Sequence, residues 1–473
     1  MTYTVTKASA LIIGLPLVLA VAVADDTVRD DLDLEQQRAV NKVIQLPTTF
    51  LQAESFEAMS GGATTRREYD LGKEAYSRFL SNLDAEGQQS AAIGNSLFRK
   101  AWVAAPASTQ SSDGLGPFFN ARSCQGCHIK DGRGTAPREG EFDPTFLLKF
   151  PTPHDLLGSQ LQTASVTGLP AEGRYRTFYH TRKFIYPDGA VKELRYPEYV
   201  VFTTNGERIK ERVSPRMAPA VFGLGLIDAI HVADQIRLSD ESDANGDGIS
   251  GALPWIGDRP GKYAWKLQNV SLRQQSADAF SNDMGLSSAE FPLHYGDCTL
   301  LQQACRNANS GADAEEDVEI TRLMMSLVEQ YLLSLAPPRR RDVSSPGVLR
   351  GKKSFYEFQC HSCHHPKYVT RADYPQKALR YQLIWPYSDF LLHDMGSDLS
   401  DGVGDSEWRT PPLWGLGYVK TVNPLATFLH DGRAKDIEEA ILWHGGEAAE
   451  AKARFVEASE TQRADLVRFL ESL

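Results

Sequence analysis

The sequence predicts a mainly α chain of two similar domains, with a β-containing insertion in the first. Three observations carry that prediction. A short string occurs twice, as Cys124-Gln125-Gly126-Cys127-His128 and as Cys360-His361-Ser362-Cys363-His364. A second pattern follows each copy: Ala218-Pro219-Ala220-Val221-Phe222-Gly223-Leu224-Gly225, and Thr410-Pro411-Pro412-Leu413-Trp414-Gly415-Leu416-Gly417. Helical periodicity and loops fill most of the chain, but short alternating segments take over between about residues 140 and 212.

Each short string is a C-x-x-C-H, the attachment pattern of a c-type haem. Two thiols in one turn of backbone can form thioethers with the vinyl groups on one porphyrin edge, and the next residue then offers its imidazole to the iron. A zinc site would need a second C-x-x-C or an H-x(3-5)-H pair, and neither follows. A redox dithiol would need a βαβ context, which neither string has. Cys124, Cys127 and His128 are therefore assigned to one covalently bound haem c, and Cys360, Cys363 and His364 to another.

The remaining elements follow in chain order. Lys7 precedes an apolar run from Ala8 to Val23 that ends in Ala22-Val23-Ala24, the form of an export signal over residues 1–24. The run is short for a membrane span and contains Gly14 and Pro16. With no later span, the expectation is an exported protein of the bacterial periplasm, where haem c is attached. The first domain is expected over 25–336. Its insertion holds strand-like segments at Arg174–Tyr179 and Tyr199–Thr204.

Asp243, Asn245 and Asp247, with Gly248 and the Ile249 carbonyl, form the D-x-N-x-D-G opening of a calcium loop, over 243–251. The bidentate Glu is missing, because Pro254 stands at position twelve. Cys298 and Cys305 are the two cysteines that the strings leave over, and in an exported chain they are expected to pair. An amphipathic helix is expected over Glu315–Leu335, ending before Pro337-Pro338, and another over Thr461–Leu470. Residues 337–348, with Pro and a run of Arg, mark the junction, and the second domain is expected over 345–473.

The formal net charge of the 473-residue chain is −11, and residues 1–24 hold only Lys7. That balance argues against nucleic acid and anionic membranes, and it suits docking with a basic electron-transfer protein.

Longer stretches carry a resemblance. They are Gly114–His128, Asp389–Gly396, Glu407–Gly417, Phe428–Ala434 and Glu438–Ala448. Together they resemble the di-haem oxidoreductase family, labelled peroxidases or thiol oxidoreductases. That family is similar to the bacterial di-haem cytochrome c peroxidases and to the maturation enzyme of methylamine dehydrogenase. The resemblance runs from about residue 55 to the C-terminus. The thiol label fits poorly here, since haem consumes the C-x-x-C sulfurs.

The resemblance implies two cytochrome c-like haem domains with His128 and His364 as proximal ligands. It implies a second axial ligand for the C-terminal haem on the helix after His430-Asp431-Gly432, where this chain offers His444. A capping role for His444 at a helix end, and Met395 as the ligand, stay open. Matched against that helix, Ser271–Phe280 brings Ala279 or Phe280 to the ligand position of the first haem. Neither binds iron, so an open site is expected there. Gln274 and Gln275, with Arg273, are the polar candidates near it, while Met217, His231 and Met284 remain alternative ligands. No catalytic acid or base is assigned by motif; Glu198, Glu207 and Glu211 are candidates by position only. Trp265, Trp408 and Trp414 are candidates to lie between the haems. The resemblance also supports calcium.

Three functions follow. The first is a peroxidase-like oxidoreductase, with the C-terminal haem relaying electrons to a reactive N-terminal haem and peroxide or another small oxidant as substrate. The second is a di-haem electron carrier without peroxidase chemistry. The third uses the insertion as a platform for a protein or metal substrate. An electron donor or acceptor protein is a partner in the first two.

Overall fold

The computed structural model describes residues 28–68, 72–109, 112–402 and 406–473. The leader expected over 1–24 lies outside them. No helix among the described residues is long and apolar enough to cross a membrane.

Each half is built on a pair of packed helices. In the first half Ala85–Arg99 lies on Arg322–Leu333, and in the second Pro346–Glu357 lies on Glu460–Ser472. Glycine makes both approaches close. A Cβ on Gly94 would sit 2.0 Å from the Leu327 carbonyl oxygen, and one on Gly351 would sit 1.9 Å from that of Asp465. Neither position accepts a side chain, so the sequence fixes where each pair meets.

Local signals set the helix ends. The Thr321 hydroxyl accepts from the Met324 amide, so that helix begins at Arg322 and not at Glu315. The Glu315 and Glu316 amides instead donate to Asp313, which holds that segment as a loop. The last helix starts at Glu460, behind a capping box of Ser459 and Gln462.

The expectation of a mainly α chain of two cytochrome c-like domains is not met. The protein is 31% helix and 16% strand, and among the described residues the strands fall into six small sheets. Much of the strand comes from the segment between the first C-x-x-C-H and the first Pro-Gly repeat. Gly173–Ile185 pairs antiparallel with Val191–Thr203 in one long hairpin, and Leu147–His154 pairs with both Gly158–Gln160 and Ser214–Arg216. Alternation in Tyr175, Thr177 and Val201 buries one face of the hairpin base on Phe146, Leu148 and Phe150. The far end leaves that core. Tyr186 and Leu194 join the core of the second half, where Tyr186 donates to Glu438 at 2.8 Å and Lys192 pairs with Glu438 at 2.7 Å.

The two Pro-Gly repeats face each other. Gly223 and Gly415 both take left-handed backbone, with φ of 74° and 75°. A Cβ on Gly223 would strike Trp414 at 2.5 Å, and one on Gly415 would strike Phe222 at 2.6 Å. Each repeat thus packs its glycine under the aromatic ring of the other. The following glycines receive the ends of the paired helices: Gly225 lies under the Leu333 carbonyl and Gly417 under that of Glu471.

Candidate haem-binding sites

Both C-x-x-C-H strings close one tight turn. In the first, the Ser123 hydroxyl accepts from the Gly126 amide and caps the Cys124–Cys127 turn. The His128 amide then donates to the Cys124 carbonyl at 2.9 Å. In the second, the His364 amide donates to the Cys360 carbonyl, also at 2.9 Å. Four free thiols result, and none is paired with another. Burial pushes the Cys124 and Cys360 thiols up to about 12 and raises those of Cys127 and Cys363. Thiols held protonated suit neither a working dithiol nor a zinc thiolate.

The histidines are set for metal through one nitrogen. His128 Nδ1 lies 2.7 Å from the Pro219 carbonyl oxygen, and His364 Nδ1 lies 3.0 Å from that of Tyr387. A carbonyl only accepts, so each Nδ1 carries the proton and each Nε2 keeps its lone pair. Burial lowers both pKa values, that of His364 to about 4, which keeps the rings neutral. Free, protonated thiols beside a pre-oriented neutral imidazole fit a thioether-bound haem at both strings.

Beyond that turn the two sites differ. The first opens on a cavity with about 1370 Å³ of empty space, its solvent-filled mouth included. Cys124, Cys127, His128 and Phe98 line one part of it. The Leu272–Met284 helix lines another, and brings Ala279 and Phe280 to the wall. Asp278 and Asp283 lie on the same helix and line the cavity too. Burial pushes the Asp283 carboxyl up to about 6, against hydrogen bonding from Gln160 at 3.0 Å.

Of the polar candidates, Gln275 lines the cavity, whereas the Gln274 side chain turns back to accept from the Val270 amide at 3.1 Å. Arg273 pairs with Glu290 and Glu329. Met217 lines the cavity, but its sulfur lies 3.7 Å from the Thr427 hydroxyl. His231 caps the Val232–Ile236 helix and lies 2.8 Å from Asp30, so it belongs elsewhere. Met284 does line the cavity, and Glu198, Glu207 and Glu211 do not.

Near the second string lies another imidazole, His444, whose charge adds to burial in disfavouring a proton on His364. His444 is half-buried, desolvation lowers its pKa, and its Nδ1 lies 2.8 Å from the Ala440 carbonyl oxygen. That contact caps the Ile437–Leu442 helix and leaves Nε2 free, so the capping and ligand roles are compatible. Met395 packs elsewhere, against the cluster of Trp265, Leu399 and Trp408.

Around this site charges are paired. His393 lies 2.6 Å from Glu447 and 2.8 Å from Asp389, and its ring groups with the Cys363 sulfur. Burial works against a charge on His393, but the two carboxylates hold its proton on well above the usual range.

The tryptophans divide the same way. Trp265 lines the first cavity, meets Trp408 edge to face at 6.4 Å, and Trp408 stacks on His430 at 3.5 Å. Trp414 packs on Gly223 instead.

In the calcium-like loop, Asn245 and Asp247 side chains accept from backbone amides two residues on, and Asp243 accepts from Gly248. Ser250 then ties the loop to Glu447. The convergent groups of three potential metal donors found among the described residues do not include this loop. Cys298 and Cys305 are bonded, with Cα atoms 6.2 Å apart.

Sequence reasoning missed Asp278, Asp283 and Arg409, all of which line the first cavity. The two aspartates were visible as i, i+5 on one helix, but no motif marks which helix faces the site. Arg409 comes from the other half of the chain, which only the fold reveals.

The chain matches the family described as "Di-haem oxidoreductase, putative peroxidase" over residues 55–147 and 161–473. No curated protein matches it. Among solved structures, a Kuenenia stuttgartiensis hydrazine synthase pressurized with xenon is similar at 16% identity and a TM-score of 0.24, covering 53% of this chain and 88% of that one. The family match includes both C-x-x-C-H strings, both Pro-Gly repeats and the His444 helix, and the protein accordingly belongs to the di-haem oxidoreductases.

Proposed function

We propose that this chain is an exported di-haem c-type oxidoreductase with peroxidase-like chemistry, in which electrons pass from the second site to a reactive first site. The observation that carries this reading is the contrast in what surrounds the two histidines. His364 has the His444 imidazole for company, while His128 faces a cavity. When bound, the haems would supply one-electron redox chemistry and the reduction of peroxide or another small oxidant.

The protein's own residues supply the rest. Cys124 and Cys127 tether one haem, and Cys360 and Cys363 the other. The Pro219 and Tyr387 carbonyls orient the two proximal rings. His444 closes the second site. Asp283 is the proton-holding group of the first cavity, its affinity raised toward neutrality by burial. An electron-transfer protein with a basic docking face is the expected partner, and the periplasm the expected location. A calcium ion held by Asp243, Asn245, Asp247 and Ile249 belongs to the same reading. Chelation followed by calcium alone should then remove and restore activity.

Met284 favours the second reading, an electron carrier without peroxidase chemistry, because it brings a thioether to the first cavity. Absorption spectra of oxidised and reduced protein, with and without hydrogen peroxide, separate the two. The peroxidase reading expects one of the two haems to respond to peroxide; a spectrum unmoved by peroxide and cyanide supports the carrier.

A further inference from the structure

Arg409 ends the Glu407–Arg409 strand of the second half, yet its side chain lines the cavity of the first string. The strand is anchored on both sides. Arg409 pairs across from Leu392, and its amide donates to the Trp265 carbonyl at 3.0 Å. The side chain is 7% exposed, and its Nε is buried without an acceptor. No carboxylate or carbonyl among the described residues accepts from its guanidinium.

Other buried cations are matched. Arg216, in the same cavity wall, lies 2.8 Å from Asp401. Arg133 donates to the Thr427 and Leu429 carbonyls, and Lys352 is paired with both Glu54 and Glu57. A buried charge without a partner is strongly unfavourable, so an unmatched guanidinium at a cavity wall calls for an anion in the cavity. Burial brings Arg409 down to about 10, which leaves it charged at neutral pH.

We propose that Arg409 binds a carboxylate in the first cavity, reaching across from the second half to do so. A planar guanidinium with free donors takes a carboxylate in two parallel hydrogen bonds. Two sources offer that group: a propionate of the haem tethered at Cys124 and Cys127, or a small diffusible carboxylate. The position favours the propionate. On a porphyrin the propionates lie on the edge opposite the vinyl groups that cysteines capture. The thiols stand on the Cys124–Cys127 turn of the first half, whereas Arg409 enters on a strand of the second half held at the Trp265 carbonyl, so thiols and guanidinium reach the cavity from separate elements. The proposal rests on the haem reading given above.

The test uses the exported holoprotein with Arg409→Gln and Arg409→Lys. Haem content is measured first; a wild-type protein without covalent haem at Cys124 and Cys127 sinks the underlying reading, and the propionate with it. With both haems attached, Arg409→Gln should lower the midpoint potential of one haem, make it depend more steeply on pH, and leave the other haem unchanged. Loss of a cation stabilises the oxidised iron and lets the propionate take up a proton. Arg409→Lys should keep most of the wild-type potential, and it serves alone if the glutamine variant does not accumulate, the expectation then being a smaller downward shift. A formate titration separates the sources: a saturable response in wild type that is lost in the variants identifies a diffusible carboxylate. Potentials, pH dependence and formate response identical in all three proteins overturn the proposal.

Discussion

The two C-x-x-C-H strings begin alike and end in different surroundings. Each makes one turn, holds its thiols protonated and points a neutral imidazole by a carbonyl hydrogen bond. Near His364 stands His444, whose charge disfavours a proton on it, and the neighbouring charges are paired, His393 between Asp389 and Glu447. At His128 lies a cavity with two aspartates and an unmatched arginine on its walls. The same local turn thus sits beside paired charges in one half and beside a cavity with an unmatched arginine in the other. What distinguishes them is contributed by distant segments.

The strongest way to break this comparison is to remove each tether in turn. Cys124→Ser with Cys127→Ser should abolish one covalent haem and all response to peroxide. Cys360→Ser with Cys363→Ser should abolish the other haem while leaving a peroxide-responsive one. Haem staining and difference spectra read both outcomes, and equal loss of peroxide response at the haem itself in the two variants would erase the distinction.

Next in size is the proton. Asp283→Asn should slow the reaction with peroxide on the order of 10²-fold. Wild type should gain rate as pH rises through about 6, where Asp283 loses its proton, and the variant should not. A variant with an unchanged rate and pH profile would place the acid/base group elsewhere.

Closing the second site is a subtler effect. His444→Ala should open the second iron to cyanide without changing haem content. The hairpin should sharpen this, because it braces the His444 helix: the Arg195 amide donates to Glu439 at 2.5 Å and Arg182 lies over Trp443 at 4.5 Å. Arg182→Ala should therefore produce a partial version of the His444→Ala spectrum.

The smallest effect concerns stability. Glu172 is buried in the first half and pushed up to about 8, mainly by desolvation. Its contribution is present below the ordinary carboxylate pKa and is lost as pH rises through about 8, on the order of 5 kcal/mol. Glu447 runs the other way. Burial would raise it, but His393 and Ser250 hold it down at about 2. Its contribution is present above the ordinary pKa and is lost as pH falls toward 2. Denaturation of Glu172→Gln against pH should show a flatter alkaline limb than wild type, with the acid limb unchanged.

How much of this was legible in the chain varies with the range of the interaction. The C-x-x-C-H turns are local, so residue spacing alone revealed them. The facing repeats were visible as patterns, but their mutual packing, in which the glycines admit Trp414 and Phe222, depends on a contact between distant segments. Helix periodicity located Arg322–Leu333 and missed its start, because a Thr321 cap outweighs the polar run before it. The fold class was misjudged since alternation in the insertion understates two strands of such length, and loops shaped around cavities leave no periodic signal. Arg409 was hidden entirely: its role depends on which half it enters, and nothing in Glu-Trp-Arg-Thr-Pro says so.

The central claim is the inequality of the two sites, and electron paramagnetic resonance of the oxidised holoprotein tests it most directly. The account predicts one high-spin and one low-spin ferric signal, with cyanide converting only the high-spin signal. Two low-spin signals, both untouched by cyanide, would contradict it.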